Sequence, residues 1–301
     1  MNIKTWNGLH SAIANLAKSE NQKIYCHYTT PSAFVSIFDS YISHTEQKYI
    51  TQCQLYASHI RFLNDSQEYF DGLRWLQCKQ HFQLNGLNDD MYCISFCGNE
   101  DLLSQWKWYG KNSGIAITFD MSNIQFKYYD VKEEELPVMD TLTKPLPVRY
   151  SEPAKSAYFG EIAKLCEEQH LNQNSELFYS SLFIPFCKNK SFKEEKESRL
   201  IFYSVEGASA GIKPFNIKYI PSGNILKPTL KVSFRAIDER KGIVKKLTVG
   251  PGQDQELVYN ALIHILGGKV PSVEEGKQAE RNGTVKLKGV IIQKSRIPFR
   301  G

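Results

Sequence analysis

Long hydrophobic runs are missing from this sequence. No apolar stretch among the 301 residues approaches the roughly 18 residues that a membrane-crossing helix needs. The opening "MNIKTWNGLHSAIANLA" has no hydrophobic core of the secretory kind, so a soluble, cytoplasmic protein is expected, with no membrane partner. Paired cysteines are also missing. The seven cysteines (26, 53, 78, 93, 97, 166 and 187) are odd in number and form no CxxC, which excludes a disulfide framework and a zinc ribbon. His27, His44 and His59 lack ligand spacing, and no metal site is expected. Charge of one sign is scarce: 37 Lys and Arg against 32 Asp and Glu leave a formal net charge of +5. That is short of the basic stripe of a dedicated nucleic-acid binder. Neither a GxGxxG opening a βαβ unit nor a GxxxxGK[ST] loop is present, which argues against Rossmann and P-loop architectures.

What is there is an ordinary globular composition, 42% hydrophobic and 23% charged. Apolar positions at helical spacing (Trp6, Leu9, Ile13, Leu16) predict an N-terminal helix over 5–19, and residues 1–22 are set apart from one domain spanning 23–301. "KIYCHYT" reads as a strand and "PSAFVSIFDS" as a helix with Phe34, Ile37 and Phe38 on one face. "QLYAS" is a further strand; the helix after it buries Tyr69, Leu73 and Leu76 and is capped by Asp65 or Ser66. "MYCISFC" and "GIAITFD" are strands around a helical turn in "NEDLLSQWKWYGKNS". "FKYYDV", "LPVRY", "SRLIFYSV" and "KKLTVGP" add strands, with helix over about 151–181 and in "DQELVYNALIHIL". "VKLKGVIIQKSRIPFR" reads as one final strand, and 206–228, rich in Gly, Pro, Ser and Asn, as a linker or a long surface loop. Several adjacent strands lack a crossover helix. The expected class is therefore α+β, with a mixed, mainly antiparallel sheet and flanking helices.

Four clusters can carry chemistry. "HYTT" (27–30) puts an imidazole, a phenol and two hydroxyls where a strand meets a helix, although Thr30 before Pro31 is also a plain helix cap. "LNDSQE" (63–68) contributes Asn64, Asp65 and Glu68, read either as an Asx-turn with a first-turn acid or as polar ligands. In "SQWKWYG" (104–110), Trp106 and Tyr109 are three apart and share a helical face, as core or as a stacking surface for a planar ring. In "SFKEEKESRLIF" (191–202), a strand running back to Glu195 places Glu195, Glu197 and Arg199 on one face. That face is either a solvated edge or a carboxylate pair in a cleft.

"YCHYTTPSAFVSIF", "LYASHIRFLNDSQEY", "CISFC", "SQWKWYGKNSGIAITFD", "KNKSFKEEKESRLI", "LTVGPG" and "QKSRIPFR" follow one another in this order. Together they resemble a widespread bacterial family known only as a domain of unknown function, over about residues 24–300. That family in turn resembles the ADP-ribosyltransferase superfold. The resemblance implies NAD as substrate, with His27, Tyr28 and Thr29 gripping the ribose, Trp106 or Tyr109 packing on nicotinamide, and Asn64, Asp65 and Glu68 in an NAD-clamping segment. Glu197 is implied as the catalytic carboxylate, with Glu195 toward the acceptor and Arg199 holding the pair or a pyrophosphate. The sequence departs from the superfold in lacking a Ser-Thr-Ser strand and in carrying its aromatics on a helix before a strand.

A fixed carboxylate suits this chemistry, because cleaving the nicotinamide–ribose bond develops oxocarbenium-like positive charge at the sugar. The leading expectation is an NAD-dependent ADP-ribosyltransferase-like enzyme, a toxin or antiviral defence effector with a nucleic-acid or protein acceptor and an antitoxin or regulatory partner. An NAD hydrolase using the same pocket is the alternative enzyme. A non-catalytic module binding a nucleotide or nucleic acid is the alternative of another class, with the basic runs 240–246 and 286–296 as phosphate contacts.

Overall fold

The computed structural model describes residues 24–42, 47–63, 67–80, 91–129, 132–137, 145–168, 182–203, 215–222, 224–269 and 284–299. The helix expected over 5–19, the cap at Asp65 or Ser66 and the last part of the helix expected over about 151–181 lie outside them. In chain order the principal elements are β1 (Cys26–Thr29), α1 (Pro31–Ile37), α2 (Asp39–Ile42), β2 (Gln52–His59), α3 (Glu68–Gln80), β3 (Met91–Phe96), β4 (Ile115–Phe119), β5 (Ile124–Tyr129), β6 (Glu135–Pro137), β7 (Leu146–Pro147), α4 (Glu152–Glu168), β8 (Ser198–Tyr203), β9 (Ile217–Ser222), β10 (Ile225–Ala236), β11 (Val244–Val249), α5 (Gln255–Ile265), β12 (Thr284–Leu287) and β13 (Val290–Lys294). The class is α+β with mixed, mostly antiparallel sheets. No helix among the described residues is long and apolar enough to cross a membrane.

The chain divides into two compact units, one comprising 1–22, 55–96 and 126–232, the other 23–54, 97–125 and 233–301. The second unit is built on a five-stranded sheet in the order β1-β4-β11-β13-β12. Second in that order is β4, whose five residues are all buried, as a strand covered on both faces requires. β1 and β11 flank it antiparallel, and β11 runs parallel to β13 with Leu247 beside Ile292. A parallel pair needs a crossover, and α5 lies in that connection, burying Tyr259, Leu262 and Ile263. The C-terminal stretch is two strands rather than one. Lys288 and Gly289 both take positive φ (47° and 81°), the conformation of a tight hairpin turn, and β12 folds back on β13.

The first unit carries the larger sheet, ordered β6-β5-β10-β2-β3-β8-β7, with β9 paired to β10. β3 and β8 form a long antiparallel pair, Met91 opposite Tyr203 through Phe96 opposite Ser198. Much of the stretch expected to be a linker or loop is a hairpin instead: β9 and β10 pair from Ile217–Leu230 to Ser222–Ile225. Pro221 is tolerated because, among the described residues, β9 pairs with β10 alone. Tyr69, Trp75 and Leu76 bury one side of α3, while Leu73 is half-buried. α4 buries Lys155, Tyr158, Ile162, Leu165 and Cys166, and Ala157 faces out.

Candidate active site

The "HYTT" residues divide between the two faces of β1. Tyr28 points inward. Its hydroxyl donates to the Asn99 carbonyl (2.8 Å) and accepts from the Leu102 amide (3.0 Å), and its ring meets Trp106 edge-on at 4.6 Å. His27 and Thr29 lie on the other face of β1, half-buried and buried. Thr30 is the N-cap of α1, accepting from the Ala33 amide at 3.3 Å ahead of Pro31, as its sequence context predicts.

Trp106 and Tyr109 do not share a face. The segment turns from α-helix at Leu103–Gln105 into a π-helical turn at Trp106–Gly110, and the wider turn buries Trp106 to 2% exposure while leaving Tyr109 at 37%. The Trp106 indole N–H donates to Asp101 Oδ1 (2.7 Å). Asp101 also accepts from the Ser295 hydroxyl (2.5 Å) and the Arg296 amide (2.9 Å). The ring lies so close to two backbones that a Cβ on Gly110 would come within 2.8 Å of it and one on Gly250 within 2.5 Å. Cys26, Tyr28, Cys97 and Ala116 complete a buried cluster, with Ile297 packed against it. Trp106 thus has no ring face left for a ligand. The glycine, Asp101 and Ser295 segments are its housing.

The carboxylate motifs build a different assembly, in the first unit. Glu68, at the first position of α3, Glu195, Glu197, Lys188 and Arg199 form one ion-pair network. Lys188 Nζ contacts Glu68 Oε1 (2.9 Å), Glu195 Oε2 (2.7 Å) and Glu197 Oε2 (2.8 Å), donating hydrogen bonds to the latter two. Arg199 Nε donates to Glu197 Oε1 (2.6 Å), Nη2 to Glu197 Oε2 (3.1 Å) and to Glu68, and Nη1 to the Pro185 carbonyl (2.7 Å). Arg199 is 1% exposed, Glu68 4%, Glu197 5% and Lys188 6%. Buried charges survive only when paired and hydrogen-bonded, and these are. The Tyr150 hydroxyl accepts from the Glu197 amide at 2.7 Å.

Glu195, Glu197 and Arg199 do converge, but not by strand periodicity. β8 starts at Ser198, and Lys190–Glu195 is a 3₁₀ helix started by Asn189, whose side chain accepts from the Ser191 amide (3.0 Å). Lys196 ends that helix in the left-handed region (φ 45°, ψ 48°). The reversal there carries Glu195 and Glu197 to the same ammonium.

The two glutamates are tuned in opposite directions. Burial works to raise the Glu197 carboxyl, but Arg199 and Lys188 more than reverse this and bring it down to about 2. For Glu195 burial prevails over Lys188, and its carboxyl is raised. Burial works to lower the Lys188 ammonium, and Glu197 and Glu68 outweigh it, raising it well above the ordinary lysine value. Desolvation and the Glu197 charge push the Tyr150 phenol up.

Of the residues singled out in the sequence, the structure brings Glu68, Glu195, Glu197 and Arg199 together in the first unit, and Tyr28 and Trp106 together in the second. Asn64 and Asp65 lie outside the described residues. Lys188 and Tyr150 were missed. The signal for Lys188 was a lysine closing the apolar run "LFIPFC", a position where a charge needs partners. Among the described residues no group of three or more His, Cys, Asp or Glu is disposed to hold a metal ion.

A family described as "Protein of unknown function (DUF2971)" matches residues 105–200, about a third of the chain. The matched stretch includes Trp106, Tyr150, Lys188, Glu195, Glu197 and Arg199. No curated protein matches the chain, and no solved structure does.

Proposed function

We propose that the chain catalyses glycosyl transfer from NAD in the manner of an ADP-ribosyltransferase, with Glu197 as the fixed carboxylate and Glu195 as the group that serves the acceptor. One observation carries this reading: two glutamates two residues apart share a single ammonium at 2.7 and 2.8 Å and are shifted in opposite directions. Such a split separates a permanent anion from a proton carrier. In the reaction, the C1′–N bond to nicotinamide breaks and its electron pair leaves with the nicotinamide nitrogen. The acceptor's lone pair forms the new bond at C1′, and the acceptor's proton passes to Glu195. Glu197 stabilises the positive charge at C1′ in between. A nucleic-acid or protein acceptor makes the activity that of an effector, and water as acceptor makes it an NAD hydrolase.

The test is nicotinamide release from NAD by the wild type, Glu197→Gln and Glu195→Gln, with and without nucleic acid and cell lysate. Release that requires an acceptor and disappears in Glu197→Gln supports transfer. Release without acceptor supports the hydrolase. A Glu197→Gln enzyme as fast as the wild type overturns the assignment.

A second reading has its own observation. Both Glu197 oxygens are occupied by cations and the residue is 5% exposed, which suits a structural brace beneath a non-catalytic nucleotide-binding module. Absence of nicotinamide release under every condition, with NAD binding retained, selects this reading.

A further inference from the structure

Within the first unit a cleft of about 680 Å³ opens beside the ion-pair network, a volume in the range of small-ligand sites. Tyr150, which accepts from the Glu197 amide, forms part of its wall. The floor is apolar, with Trp75 laid against Phe183 (4.6 Å between ring centres). Four cations line it, Arg74, Lys79, Lys155 and Lys190, against two acids, Asp71 and Glu152.

Among the described residues Arg74, Lys79 and Lys190, all exposed, take part in no ion pair. Lys155 is the more telling. Its side chain is 9% exposed, and its nearest carboxylate oxygen, on Glu152, stands 3.7 Å away, beyond hydrogen-bonding distance. The other Glu152 oxygen is held by the Trp75 indole N–H at 2.7 Å. The one ion pair of Lys155 among the described residues is thus a loose one, at a residue that lines the cleft. An acceptor-rich anion in the cleft would supply a closer partner, and the start of α4, which carries Ser151, Glu152 and Lys155 into the lining, adds favourable backbone polarity.

We infer that this cleft binds a small ligand bearing phosphate, of nucleotide size, with its phosphates on Lys155 and Arg74 and its flat apolar part over the Trp75 floor. The inference is independent of the glycosyl-transfer reading, since it concerns binding and requires no turnover.

Cys78 makes the site directly readable. It lines the cleft and is exposed, whereas the other six cysteines are buried. Thiol labelling of the folded chain therefore reports on Cys78. The probes are ADP, NAD, inorganic pyrophosphate and adenosine. ADP or NAD is expected to protect Cys78 in a saturable way, pyrophosphate to compete with them, and adenosine to protect poorly. Removing one cation should raise the ADP concentration needed by about ten-fold, the worth of a charge-assisted hydrogen bond. Lys155→Met tests the buried cation; Arg74→Gln and Lys79→Gln, at exposed positions, keep the test valid if that variant fails to fold. Protection unchanged in Arg74→Gln and Lys79→Gln would overturn the inference, as would protection by adenosine equal to that by ADP, or no protection by any probe. Absence of nicotinamide release by the wild type under every condition, with Cys78 protection intact, would refute the glycosyl-transfer reading alone.

Discussion

The ammonium of Lys188 meets the carboxylate of Glu197 at 2.8 Å, with both side chains less than a tenth exposed, and the same ammonium reaches Glu68 and Glu195. One lysine thus neutralises carboxylates delivered by a helix start, a 3₁₀ helix and the approach to a strand. Three carboxylates against two cations leave the five-residue network one negative charge in excess when all are ionised, and Glu195, at its more open edge, is the member whose proton affinity is raised.

Replacing Lys188 with Met should leave those carboxylates with Arg199 as their one cation in the network. Stability is expected to fall by about 3–5 kcal/mol, the usual cost of removing one partner from a buried pair. Urea denaturation measures it. Combining Lys188→Met with Glu195→Gln should recover part of the loss, because the network then holds one fewer uncompensated carboxylate. Additive losses would show that Glu195 is not coupled to Lys188.

The pH dependence of stability follows from the opposed shifts. Glu197 binds its proton less tightly folded than unfolded, so its contribution is present above the ordinary glutamate value of 4.5 and is lost as pH falls toward about 2. Glu195 has the opposite sign: its contribution is full below the ordinary value and is lost as pH rises through its raised folded value. Chemical denaturation across acid pH should therefore give Glu197→Gln a shallower acid limb than the wild type, and Glu195→Gln a smaller loss of stability as pH rises above the ordinary glutamate range. Parallel curves for all three proteins would refute both assignments.

Gly250→Ala should destabilise the chain by about 1–3 kcal/mol, since the new methyl group lands 2.5 Å from the Trp106 ring. Gly160→Ala is the matched control. It sits on the exposed side of α4 with nothing within 4 Å of the added carbon, and should stabilise by about 0.5–1 kcal/mol. Thermal unfolding of the two variants should move in opposite directions.

Nicotinamide release by Glu197→Gln should fall about 10²–10³-fold if the carboxylate stabilises developing charge, and His27→Ala should weaken NAD binding if the imidazole grips the ribose. Calorimetric titration with NAD measures the second. Equal affinity would make the strand-end histidine structural.

Legibility varied with the length scale of the cause. The strand at 26–29, the cap at Thr30, the Phe34 and Ile37 face and the strand at 198–203 were readable because neighbouring residues decide them. The convergence of Glu195, Glu197 and Arg199 was readable for an incomplete reason: a strand period was expected, and a left-handed Lys196 produced it. Lysine carries no local preference for that conformation, so nothing in "EEKES" announces it. The role of Trp106 was hidden because its housing draws on Gly250 and Ser295, far along the chain, as well as nearby Asp101, and a π-helical turn replaced the regular spacing that would have put Tyr109 beside it. Lys188 was overlooked because its partners are fixed by tertiary structure.

The contact between Asp101 and Ser295 joins positions 194 residues apart, and through it the indole of Trp106 receives its last support. During synthesis Trp106 therefore leaves the ribosome long before the segment that completes its enclosure. Pairing across such a separation is slow, and until residue 295 has emerged, that part of the nascent chain exposes a tryptophan and the β11 edge that β13 pairs with.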